Sequence, residues 1–157
     1  MKITTKIILI LAIIFIVVIA FTQRRSAVAP VVVEDSIKGC YLATIAKDRY
    51  LLAVTAVDGQ NVEGSLQYKN FEKDSSRGTF SGTYTDGILM GEYAFASEGM
   101  DSVMQVLFKK TDQGFVRGFG ETKTEGNKVT LLDPSTVSYE NSPEFIYTND
   151  CTIPAVL

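Results

Sequence analysis

The side chains able to exchange protons or hold a cation are few: Glu92, Glu98, Asp101 and Glu121 are the carboxylates worth weighing. Glu98 and Asp101 flank Gly99-Met100, a spacing that suits an acid/base pair or a cation site and equally suits a polar hairpin turn. Histidine is absent, so the side chain that titrates most readily near neutral pH is missing. Ser-His-Asp, Cys-His and His-based zinc chemistry go with it. Cys40 and Cys151 are the only cysteines, too few for a four-thiolate zinc site within one chain. No G-x-S-x-G, S-x-x-K, P-loop, EF-hand or G-x-G-x-x-G pattern occurs. The sequence therefore names no catalytic residue, no metal ligand and no cofactor.

Binding residues are easier to nominate. Arg117, Phe119 and Glu121 alternate along one face of a run, opposite Val116, Gly118 and Gly120. With that face turned into a barrel, Arg117 and Glu121 line a cavity and orient a ligand's polar end; turned outward, they form a surface pair of little energetic consequence. Tyr84 and Tyr93 share a face with Phe80 and Leu89, as aromatic core or as cavity wall. The most polar connection, Asp74-Ser75-Ser76-Arg77, follows Tyr68-Lys69-Asn70-Phe71 and is either a partner-binding loop or a solvated turn.

These residues sit on short β-rich runs separated by turn signals. The runs are Cys40 to Ala46, Tyr50 to Val57, Asn61 to Lys69, Gly78 to Thr85, Ile88 to Ser97, Ser102 to Lys110, Phe115 to Glu121, Lys128 to Asp133 and Glu144 to Thr148. Asp58-Gly59, Asp86-Gly87 and Glu98-Gly99 supply the positive φ that tight hairpins demand. Val62-x-Gly64-x-Leu66, Phe80-x-Gly82-x-Tyr84 and Leu89-x-Gly91-x-Tyr93 each put a glycine between two large residues on one face, with Val116-x-Gly118-x-Gly120 a weaker fourth case. Glycine weakens a strand, so its recurrence there predicts sharp bending or close backbone approach, as closure of a small sheet requires. The expected fold is all-β: an antiparallel meander of about eight or nine strands forming a small barrel, with a β-sandwich as the alternative.

Cys40 opens the first run and Cys151 follows the last. Their even count in an exported chain predicts a disulfide, closing a loop of about 110 residues for which chain entropy gives roughly 4 to 5 kcal/mol.

The N-terminus supports export. Lys2 and Lys6 precede an uncharged run from Ile7 to Phe21, which at about 15 residues is short of the roughly 20 of a full span. Residues 1–22 are either an uncleaved signal-anchor helix in the membrane or a signal peptide cleaved near Ala20. Residues 23–37, rich in Val and Pro, form a tether, and residues 38–157 the globular domain. The formal net charge of −3 argues against nucleic acid as a partner. A small apolar ligand or an envelope protein remains.

From Lys73-Asp74-Ser75-Ser76-Arg77-Gly78-Thr79-Phe80-Ser81-Gly82-Thr83-Tyr84, through Gly91-Glu92-Tyr93-Ala94-Phe95-Ala96-Ser97-Glu98-Gly99-Met100, to Phe108-Lys109-Lys110, the chain resembles small bacterial exported proteins and lipoproteins. The resemblance covers most of Gly39 to Cys151; it implies a cell-envelope location and assigns no activity. At the level of architecture the chain is similar to lipocalin-like barrels, without a lipocalin signature. The expectation is a membrane-anchored or secreted extracytoplasmic β module that binds a small ligand or an envelope partner. A structural or stress-related envelope protein without a pocket is the alternative, and a carboxylate-based enzyme the third reading.

Overall fold

The computed structural model describes residues 37–97 and 99–153. Residues 1–22, expected to form a signal or anchor, residues 23–36 of the expected tether, and Glu98 lie outside the described residues. Among the described residues no helix is long and apolar enough to cross a membrane.

Among the described residues ten strands run in chain order: β1 (Gly39–Ile45), β2 (Asp48–Asp58), β3 (Asn61–Lys69), β4 (Ser76–Thr85), β5 (Ile88–Ser97), β6 (Met100–Lys110), β7 (Gly114–Gly118), β8 (Thr122–Glu125), β9 (Lys128–Leu131) and β10 (Glu144–Thr148). Each of β1 to β6 pairs antiparallel with its successor, β7 pairs with β10, and β10 pairs back with β1. Eight strands thus close into an antiparallel barrel, which removes the sandwich alternative. Closure leaves no open edge within those eight strands.

Alternation decides which side chains fill the interior, because successive residues of a strand point to opposite faces. Tyr41 stands opposite Leu52 and Tyr147, Phe80 opposite Tyr93, and Leu89 opposite Phe108. Leu52, Leu66, Phe80, Leu89, Tyr93, Phe108, Phe115 and Phe145 are buried in one cluster. Edge-on aromatic pairs, Phe108 on Phe145 at 5.4 Å and Tyr41 on Phe115 at 4.9 Å, fill it. The barrel centre is packed side chain. Ile37, fully buried, stoppers the end at which the chain enters, where its carbonyl accepts a hydrogen bond from the Tyr41 hydroxyl at 2.8 Å.

The inward glycines do what their spacing predicts. Gly82 and Gly91 face each other across β4 and β5, and a Cβ on Gly82 would lie 2.2 Å from the Met90 carbonyl oxygen. The backbones approach too closely there for any side chain. The Asp86-Gly87 turn has φ of 52° and 80°, the double positive φ of a type I′ hairpin.

The fourth glycine motif works differently. The run expected from Phe115 to Glu121 ends at Gly118, where the chain leaves the barrel for an excursion that includes β8, which was not expected. Strand β9 of this excursion pairs parallel with the first half of β6, Val103 with Lys128 and Met104 with Val129. Gly118 points outward and leaves room for Val137: a Cβ there would lie 2.3 Å from Val137 Cγ1.

A second apolar cluster lies outside the barrel. Cys40, Leu51 and Ala53 face outward and are covered by Ile153 of the C-terminal strap. Cys40 and Cys151 form the expected disulfide, with Cα atoms 5.3 Å apart.

Candidate functional site

The end of the barrel opposite Ile37 collects the β1–β2 turn, the β3–β4 and β5–β6 connections and the C-terminal end of β7. Asp48 ties two of these together: its Oδ1 accepts from the Phe71 backbone N–H at 2.8 Å and its Oδ2 from the Tyr50 hydroxyl at 3.3 Å. Lys47 Nζ sits 3.9 Å over the Phe71 ring. Asp74, Ser75, Ser76 and Arg77 lie on this rim. Ser76 turns inward far enough for its Oγ to accept from the Tyr93 hydroxyl at 3.0 Å, while Asp74, Ser75 and Arg77 are exposed.

Arg117 reaches into this mouth. Phe115 is buried in the core, and two residues on along β7 the pleat points Arg117 to the same interior. Its guanidinium carbon lies 5.0 Å from the Tyr68 ring centroid and 4.8 Å from that of Phe119. One terminal nitrogen donates to Met104 Sδ at 3.4 Å. Its Nε is buried without a hydrogen-bond partner, and so is the adjacent Tyr68 hydroxyl. The ion pairs among the described residues, Lys123–Glu125 and Lys128–Glu92, are exposed and elsewhere. Among the described residues no carboxylate pairs with Arg117. A buried polar group left unpartnered costs about 1–3 kcal/mol, and more when charged. The mouth is therefore built at a cost to stability, which marks it as the place to look for function.

Tyr50 and Tyr68 meet edge to face at 4.9 Å, Tyr68 and Tyr93 at 5.7 Å, and Tyr93 stacks on Phe95 at 4.6 Å. Phe119, 49% exposed, forms the outer wall. Tyr93 and Arg117 thus come together here. Tyr84 lies toward the opposite end, packed on Phe115 at 6.3 Å, and Glu121 is exposed beyond the end of β7. Among the described residues the nominated carboxylates do not converge: Glu92 pairs with Lys128 on the outer wall, and Asp101 and Glu121 are exposed. Among the described residues no group of three or more acids and cysteines is placed to hold a metal ion. Tyr50, Tyr68 and Met104 were not nominated from the sequence. The signal was present, since Tyr68 alternates with Leu66, and Tyr50 with Leu52.

Burial raises the tyrosine pKa values. Tyr41 is pushed up to about 12 by desolvation first, then by neighbouring Tyr147 and Tyr84. Desolvation also raises Tyr68 strongly, the nearby Arg117 charge opposing it without prevailing, and raises Tyr93 against the Ser76 hydrogen bond and Arg117. A group whose pKa is higher folded than unfolded binds more protons in the folded state, so stability falls as pH rises between the two values. Stability is expected to hold up to about pH 10 and to drop through about pH 12. Urea midpoints at about pH 9 and about pH 11 test this, and equal midpoints would show that the tyrosines are not sequestered.

The fold and site define a class: a small, disulfide-strapped, closed antiparallel barrel with an unpaired arginine in an aromatic mouth. No protein-family model matches the chain, and no curated protein or solved structure matches it either.

Proposed function

We propose that this domain is a non-enzymatic binding module of the cell envelope that captures a small ligand at the barrel mouth. The observation that carries the reading is the Arg117 guanidinium held between Tyr68 and Phe119 with its Nε unpartnered. A ligand there gains aromatic stacking and relieves a buried unpaired donor at once. The envelope assignment rests on the basic-then-apolar N-terminus and on the disulfide, which persists in oxidising compartments. The same N-terminal segment supplies the membrane association.

The aromatic and aliphatic side chains packed in the barrel bear on how a ligand sits: it lies across the mouth, its body against Phe119 and Met100. That packing also favours a second reading, a structural envelope protein with no ligand.

Methionine methyl NMR on the full chain separates the two. Met104 contacts Arg117 inside the mouth, whereas Met90 faces outward from β5 and serves as an internal control. Titration with phenylbutanol, a neutral aromatic probe, is expected to shift the Met104 methyl and leave Met90 in place. Phe119→Ala is expected to weaken the probe about tenfold. A Met104 resonance indifferent to the probe would favour the structural reading.

A further inference from the structure

Building on the mouth as a binding site, we infer that its ligand carries an anionic head, a carboxylate or phosphate monoester, on a flat or apolar body, and that Arg117 reads that head.

The donors define the class. A guanidinium has five N–H donors in its plane and no acceptor. The contacts with the Tyr68 and Phe119 rings, 5.0 and 4.8 Å from the guanidinium carbon, are cation–π contacts and leave the donor edge of Arg117 to be accounted for. That edge is nearly unspent, because one nitrogen donates to a thioether sulfur, a weak acceptor, and Nε has no partner. The Tyr68 hydroxyl beside it is a further donor without an acceptor, and burial keeps it protonated through the neutral range. What is missing is an acceptor group able to take several converging N–H and O–H donors, which is the chemistry of a carboxylate or phosphate.

Charge excludes the alternatives. A cationic ligand meets the Arg117 charge, and the carboxylate of this mouth, Asp48, is already engaged by the Phe71 N–H and the Tyr50 hydroxyl. A neutral ligand leaves the charge uncompensated in a site where burial makes compensation worth most. A polyanion such as nucleic acid needs several phosphates neutralised, and the mouth interior offers Arg117 alone, in a chain of net charge −3. A single anionic head on a body that stacks is the ligand that uses every unsatisfied group. The exposed apolar side chains on the same rim, Met100 and Phe119, receive the body.

The test uses four probes of one skeleton: phenylbutyrate, phenylbutyl phosphate, phenylbutanol and phenylbutylamine. Affinities come from calorimetry on the full chain, and the Met104 methyl shift reports the site. At least one anion is expected to bind ten-fold or more tightly than the alcohol, with the amine weakest. Whichever anion ranks first assigns the head to the carboxylate or the phosphate class. Arg117→Met is expected to bring the anions to the level of the alcohol, and Arg117→Lys, which keeps the charge should the methionine variant fail to fold, to retain part of the preference. Alcohol binding without any preference for the anions would overturn the inference and leave mouth binding intact. If no probe moves Met104, both fall.

Discussion

Replacing Gly64 by alanine is expected to cost the barrel about 3 kcal/mol or more, the upper range for overpacking. A Cβ at Gly64 would stand 2.0 Å from the Ala53 carbonyl oxygen and 3.2 Å from Val54 Cα. Both are backbone atoms of β2, hydrogen-bonded to β3 at that point, so no rotamer change relieves the clash. Strand β2 shifts register just beyond it, between Val54 and Ala56, and such an irregularity sharpens the local bend. With folding stabilities commonly about 5–15 kcal/mol, a loss of this size unfolds a substantial fraction of a marginal domain. Gly59→Ala is the control: its φ is +57° with nothing within 4 Å, so only the left-handed backbone is penalised, at about 1–2 kcal/mol. Urea midpoints of the two variants should differ clearly. Equal losses would mean that glycine is needed in β3 for reasons other than close approach.

The second large effect concerns the disulfide. The Cys40→Ser, Cys151→Ser double variant is expected to lose up to about 4–5 kcal/mol, because the cystine spans 111 residues and constrains the unfolded chain strongly. The native state loses something as well. Asp150 turns the strap by accepting from the Thr152 backbone N–H at 2.9 Å, Cys151 pins it to β1, and Ile153 then covers Cys40, Leu51 and Ala53. Freed of the pin, the strap exposes that patch. Equilibrium urea unfolding of wild type with and without reductant, beside the double variant, measures the sum. Coincident midpoints would show that the β1–β10 ladder alone holds the ends together.

Much of this architecture is legible from one-dimensional pattern. Period-two alternation places Val62, Leu66, Phe80, Leu89 and Tyr93 on the inner face, since the pleat leaves no other assignment for a half-buried strand. Asp86-Gly87 is a hairpin turn because few other pairs accept two positive φ angles. Strand β8 escaped because its Thr-Lys-Thr-Glu is exposed throughout and carries no alternation. The end of β7 escaped because what stops it is Val137, a residue distant in sequence that seats against Gly118.

The site divides in the same way. The sequence by itself determined that Arg117 and Phe119 share a strand face, that no histidine or catalytic motif is present, and that two cysteines bracket the domain, since these follow from residue type and spacing. Only the tertiary structure decided that this face turns inward, that Tyr68 and Met104 meet Arg117 there, and that Glu121 does not. Barrel closure sets which residues from β3, β6 and β7 become neighbours, and closure depends on pairings between strands far apart in the chain, above all β1 with β10, which no local pattern encodes.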